Sequence, residues 1–303
     1  VDRWDAEDIC ISADCFDMAL CWADEAECLF AGVEMAVTKS TDSAIQRAWQ
    51  LHFLLGHPSE PVMRRLLKTD NFGKFNLNDG DVKRAGLETC KVCKEAKDGT
   101  IHHVRQQVRL ADGIGEHFHI DIAYVFSLRF LVVVEAVTLY TVAELLPSKC
   151  EPVLRAKLLT ALGRFEVLGY KKTKTIFSDG EKSARAMGDN LLQMGIGFHS
   201  TGAGQGHFER VAEVVIRHLN NLMRVSWHSR QYKLPYRLGG ACFLHAVECH
   251  NHVSGENDVS GETRWGLIHR QKDDGSYLTP FGALVYTVAP EGGRSLVTMR
   301  NRL

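Results

Sequence analysis

Three apolar runs separated by gaps of only two residues set the tightest limit on the fold: Glu116 to Val125, Leu128 to Val137 and Tyr140 to Leu146. Their length and β-branched content predict strands, and the short gaps leave room only for hairpins, so the three pair antiparallel. The pattern then changes period. From Glu151 to Leu168, Val153, Leu154, Leu158, Leu159, Leu162 and Phe165 recur at helical spacing. A strand at Thr173 to Phe177, a helix at Glu181 to Met194, a strand at Ile196 to His199 and a long helix from about Gly206 to Arg224 follow.

The order β-β-β-α-β-α-β-α predicts an α/β fold: a mixed five-stranded sheet flanked by helices, the ribonuclease H-like layout. Upstream, a helix from Asp42 carries Ile45, Trp49, His52 and Phe53 on one side, and Pro58-Ser59-Glu60 opens a second, Val62 to Lys68. Asp70 to Gly80, rich in Asn, Asp and Gly, reads as a loop, and Lys94 to Asp112 as a polar connection. Downstream, a helix at Pro235 to Cys249 precedes a Gly-rich loop and a short strand pair around Leu278 to Val288. The expected division is an acidic linker or tail over 1–41, a small helical zinc-binding domain over 42–112, the catalytic-type core over 113–232 and a C-terminal extension over 233–303.

Composition excludes some classes. Glu135 closes the longest apolar stretch far short of the roughly 20 residues a membrane helix needs, so no membrane span is expected. Residues 1–40 show no secretory signal, and the first residue, Val1, suits a piece of something longer. Nine cysteines, an odd count, fit a reducing compartment with a metal site better than a disulfide framework. Ten acids and two bases in residues 1–40 leave 34 of the 36 bases and 27 of the 37 acids for the rest, a moderately basic body compatible with a polyanion.

Two clusters carry chemistry. His52 and His57 lie about one helical turn apart, and Cys90 and Cys93 form a Cys-x-x-Cys knuckle; together they supply four ligands for a structural Zn2+, the alternative being a core histidine and buried thiols. Three acids follow in separate elements: Asp121 in the first core strand, Asp179 ending the fourth, and Glu209 in the first turn of the long helix. Carboxylates from three elements suit two Mg2+ or Mn2+ ions for phosphodiester chemistry, whereas capping or surface roles are the ordinary fate of such residues. Glu213, one turn beyond Glu209, is the competing third carboxylate. Arg210, Arg217 and Arg224 form a seven-residue stripe able to track phosphates or simply face water. His117 and His119 could ligate metal, the alternative being solvent or packing roles, and Cys242 and Cys249, seven apart on an apolar helix, read as core.

These residues carry a resemblance. Trp49-Gln50-Leu51-His52-Phe53-Leu54-Leu55-Gly56-His57-Pro58 and Cys90-Lys91-Val92-Cys93-Lys94 resemble the pre-integrase zinc domain of copia-type LTR retrotransposon polyproteins. His119-Ile120-Asp121, Ser178-Asp179-Gly180 and Gln205-Gly206-His207-Phe208-Glu209-Arg210 are similar to the three acidic motifs of its integrase core. The sequence departs from the family in lacking Asn after Asp179 and in a shorter interval between Asp179 and Glu209. The resemblance implies an integrase that trims DNA ends and joins them to target DNA, with Asp121, Asp179 and Glu209 on Mg2+ or Mn2+ and structural Zn2+ on His52, His57, Cys90 and Cys93. It further implies DNA, other polyprotein domains such as reverse transcriptase and a second copy of the chain as partners, in a cytoplasmic particle and the nucleus. A decayed or repurposed nucleic-acid-binding module is the alternative.

Overall fold

Pairing along the strands builds the sheet in the order β3-β2-β1-β4-β5. Strands β1 (His117–Val125), β2 (Leu128–Glu135) and β3 (Thr141–Leu145) form an antiparallel meander, and β4 (Thr175–Ser178) and β5 (Gly197–Ser200) join it in parallel. The computed structural model describes residues 43–69, 71–97, 113–170, 172–179, 182–200, 210–229, 234–255, 261–275 and 278–281. The acidic segment 1–41 and most of the strand pair expected around Leu278 to Val288 lie outside these residues.

Among the described residues nine α-helices accompany the sheet. Four short ones precede the sheet: α1 (Ser43–Leu54), α2 (Glu60–Lys68), α3 (Asp79–Ala85) and α4 (Lys91–Lys97). Between and after the strands come α5 (Glu151–Val167), α6 (Lys182–Gln193), α7 (Arg210–His228), α8 (Gly239–Asn251) and α9 (Arg264–His269). The sheet order, strand directions and flanking helices are those of a ribonuclease H-like fold.

Alternation along β1 assigns its two faces. Phe118, Ile120 and Ile122 pack with Leu154, Leu158 and Leu162 of α5 and with Met187 and Leu191 of α6. Ala123 and Val125 turn the other way, toward Ala212, Val215 and Leu219 of α7 and Phe243 and Val247 of α8. The spacing of Ala212, Val215, Leu219 and Leu222 explains the helix: residues three and four apart line one side, and that side is buried. Along β4 Ile176 and Ser178 are buried while Thr175 and Phe177 are half-buried, the alternation of a strand.

The turn after β2 is organised by a buried acid. Glu135, fully buried, accepts hydrogen bonds from Gly115 N, Val137 N, Thr138 N and Thr138 Oγ1 at 2.6 to 3.1 Å. Four donors satisfy a carboxylate that would otherwise be costly to bury.

The upstream helices form their own core from Leu51, Leu55, Met63, Leu66, Phe72 and Val82, to which Leu278 also contributes. The segment expected as loop from Asp70 to Gly80 gives way to α3 at Asp79. Asn78 accepts from Asp81 N at 3.0 Å while Asp81 accepts from Asn78 N at 2.9 Å, a reciprocal cap that nucleates the helix inside a polar stretch. Chain from the C-terminal side is woven into this unit. Phe72 N donates to Asp273 O at 3.0 Å, and Asp273 N donates to Asn71 Oδ1 at 3.2 Å.

Candidate metal centre and acidic cleft

The end of α1 is a Schellman turn. His57 N donates to His52 O at 2.7 Å, Gly56 N donates to Phe53 O at 3.3 Å, and Gly56 is left-handed with φ +70°. In such a turn the third-last helical residue and the second residue past the cap come together, usually as an apolar contact. Here those two positions are His52 and His57, and their rings lie 4.7 Å apart between centroids. The His-x4-His spacing is therefore a consequence of helix termination. His57 itself has φ 64°, an uncommon conformation for a side chain of this kind, held by the turn.

The thiols arrive from the other side. Cys90 N donates to Leu87 O at 3.1 Å and Lys94 N donates to Cys90 O at 3.1 Å, which sets Cys90 at the mouth of α4 and Cys93 in its first turn. The ligand atoms of His52, His57, Cys90 and Cys93 all lie within 4.8 Å of one another. Cys90 Sγ is 3.5 Å from His57 Nδ1, Cys93 Sγ is 3.5 Å from His52 Nε2, and Cys93 Sγ is 3.6 Å from His57 Nδ1.

Those separations test the fit. Zn–S near 2.3 Å and Zn–N near 2.0–2.1 Å at a tetrahedral angle give an S···N edge of about 3.6 Å. The second partner agrees: His52 Nδ1 sits 3.0 Å from Pro58 O, so this nitrogen carries the proton and Nε2 is left as the ligand. The Cys90 thiol is pulled far below its ordinary value, first by Cys93 and then, against burial, by His52 and His57. A thiolate-favouring, mostly buried two-sulfur, two-nitrogen set fits Zn2+ in a closed structural role.

The acids lie on the sheet. The parallel register of β1 and β4 pairs His119 with Phe177 and Ile120 with Ser178, so Asp121 and Asp179 occupy the next step, at the end of β4. Both line one small cleft with Ile120, Ile122, Leu131, Leu154, Ser178 and Ala184. Asp121 is half-buried and its Oδ1 accepts from Ile122 N at 2.7 Å; Asp179 is exposed, and its carbonyl accepts from Ser200 Oγ at 3.3 Å. Two carboxylates in one cleft repel each other unless protons or cations intervene. They are chemically suited to oxygen-preferring divalent ions.

Glu209 lies outside the described residues, immediately before α7, the helix that covers the face carrying Ala123 and Val125. Glu213 is exposed and bonded to Arg217 at 2.8 Å. Arg224 is exposed and bonded to Asn221, and the Arg210 side chain is outside the described residues. Of the remaining candidates, His119 stacks on Phe177 at 5.0 Å and Phe177 on His199 at 5.5 Å, a row across three strands. Cys249 is fully buried against the Leu54 carbonyl at 3.8 Å, and Cys242 is fully buried too. The Pro58 carbonyl was not foreseen; the Leu-Gly-His-Pro segment carries its signal, Gly for the left-handed cap and Pro just beyond.

No protein-family model and no curated protein matches the chain. Among solved structures it is similar to the catalytic core domain of BIV integrase, at 14% sequence identity and a TM-score of 0.40, covering 52% of this chain and 95% of that one.

Proposed function

We propose that this chain is a retrotransposon integrase fragment of the copia type, catalysing metal-dependent phosphoryl transfer that trims element DNA ends and joins them to target DNA. The observation that carries this reading is the placement of Asp121 and Asp179 one register step beyond the Ile120–Ser178 pair, lining one cleft. The His52, His57, Cys90 and Cys93 cluster in the preceding helical unit supports it.

In this reading Asp121 and Asp179 hold two Mg2+ or Mn2+ ions, with Glu209, or failing it Glu213, completing the set. Such ions, when bound, would supply activation of the attacking oxygen and stabilisation of the leaving one. The chain's own part is placement: rigid strand ends fix the carboxylates, and α7 brings its N-terminus to their face of the sheet. Arg210, Arg217 and Arg224 would track DNA phosphates along α7. Zn2+ on His52, His57, Cys90 and Cys93 closes the helical unit and takes no part in the chemistry. The partners in this reading are DNA, other polyprotein domains such as reverse transcriptase and a second copy of the chain, in a cytoplasmic particle and the nucleus.

The test is Mg2+- or Mn2+-dependent nicking and joining of a duplex that mimics an element end. Asp121→Asn should abolish product while leaving zinc content and fold intact; product at the unsubstituted rate would exclude the reading. The departures beside Asp179 favour a second one, binding without catalysis. Salt-sensitive DNA binding with no product from the unsubstituted chain would select it.

A further inference from the structure

The hairpin between β1 and β2 turns through Phe126 and Ser127, with Val125 paired to Leu128. The first turn position needs positive φ, where Gly or Asn is preferred, and the chain instead places Phe126 there at φ 46°. A bulky aromatic in that conformation persists only when its surroundings hold it, and such outliers concentrate at functional places. The holder is the start of α8: a Cβ at Gly239 would fall 2.1 Å from Phe126 Cδ2, so the ring lies directly over a residue without a side chain.

Around Phe126 the surface is aromatic. Its ring centroid is 5.1 Å from that of Trp227 at the end of α7 and 5.2 Å from that of Tyr236 in the short turn leading into α8. Tyr236 is 79% exposed, and Tyr124, on the reverse face of the same hairpin, is 61% exposed with Lys149 Nζ 4.8 Å from its ring centroid. Among the described residues the large aromatics classed as exposed, Tyr124, Phe126 and Tyr236, all gather at this tip.

The charge around them has one sign. Segments 124–129, 145–150, 224–229 and 234–239 meet here and contain Arg129, Lys149, Arg224 and Arg237 but no Asp or Glu. Arg129 donates to Pro147 O at 3.0 Å and so fixes the Lys149 segment beside the hairpin. Exposed aromatic faces interleaved with cations are the makeup of a platform for unpaired nucleotides: rings stack on bases while the cations meet phosphates. A partner without negative charge gains nothing from the cations, and paired bases keep their faces hidden.

Distance ties the tip to the acidic cleft. Asp121 to Val125 is four residues along one strand, about 13 Å at strand rise. A strand of nucleic acid with a phosphate at Asp121 reaches the tip within a few nucleotides.

We infer that Tyr236, Phe126 and Trp227, with Arg237, form a stacking platform for unpaired DNA bases adjoining the cleft. This rests on the proposed action on DNA and adds what that action alone does not require, a site for single-stranded segments. The probe is a fluorescein-labelled oligothymidine of about twelve nucleotides, within the span a groove of this kind covers, compared with a duplex of equal length by anisotropy on the whole chain. Tyr236→Ala should weaken the single strand roughly tenfold, the value of about one lost stack, and the duplex far less, while Tyr236→Phe binds as the unsubstituted chain does. Unchanged oligothymidine affinity in both Tyr236→Ala and Arg237→Ala overturns the platform. Equal weakening toward single strand and duplex also overturns it, since the contact is then to backbone alone. So does a dimer that Tyr236→Ala converts to monomer with oligothymidine affinity unchanged, which makes the tip a protein interface. Tyr236-dependent oligothymidine binding by an unsubstituted chain that yields no nicked or joined product defeats the proposed function and not this one.

Discussion

Gly56 and Cys249 touch with no space between them: a Cβ built on Gly56 would stand 3.0 Å from Cys249 Cβ and 3.2 Å from its Sγ. The turn that presents the His52 and His57 imidazoles is thus pressed onto α8, with Leu222 of α7 beside it at 3.6 Å.

Gly56→Ala meets two penalties, left-handed φ and the contact with Cys249. It should cost about 1–3 kcal/mol and lower zinc occupancy. Gly169→Ala is the control, since Gly169 has φ +80° but nothing within 4 Å of an added Cβ. Urea unfolding with metal analysis of both variants checks this; equal losses would remove the packing argument.

Chelating the metal should melt the upstream helical unit, because its core is small and the four ligands close it. Helical circular dichroism should fall on adding chelator and return with Zn2+. Cys93→Ser should bind zinc at least ten times more weakly, and a stable helical signal without metal would contradict the structural role.

Like charges in the cleft make a sign prediction. Without divalent ions Asp121→Asn should be as stable as the unsubstituted chain or more so, because the repulsion from Asp179 is relieved. With Mg2+ at about ten times its dissociation constant, the unsubstituted chain should gain about 1.4 kcal/mol and the variant much less. Thermal shift against Mg2+ concentration measures both.

His250 is fully buried, its Nε2 is 3.0 Å from Leu139 O, and burial first, then Arg264 and His218, hold its pKa well below the ordinary imidazole value. The folded chain therefore refuses a proton that the unfolded chain takes up below about pH 6.5. Stability linked to this group is fully present above that pH and declines as pH falls, by up to about 1.4 kcal/mol per unit. Imidazole resonances read by NMR should remain those of neutral His250 at pH 5.5.

Local pattern carried far in this chain. The hairpins of β1, β2 and β3, the helical stripe of α5 and the buried side of α7 follow from periodicity, since a strand repeats every two residues and a helix every 3.6. The His52, His57, Cys90 and Cys93 cluster was legible as two local pairs, because a Schellman turn and a Cys-x-x-Cys knuckle are each set by a few neighbouring residues. Other features were hidden. Helix α3 hangs on a reciprocal cap inside a polar run, and α9 on Thr263 accepting from Gly266 N at 2.9 Å after a Gly-rich stretch. His252 and Asp273, 2.7 Å apart and buried, give no local signal.

What the sequence determined alone was the succession of elements and the ligand types, both properties of short windows. Tertiary structure decided the rest: that Asp121 and Asp179, far apart in the chain, share a cleft through the register of two parallel strands, and that aromatic residues from a hairpin, a helix end and a turn meet at one tip. Neither is encoded in a window, because each depends on which distant surfaces bury each other.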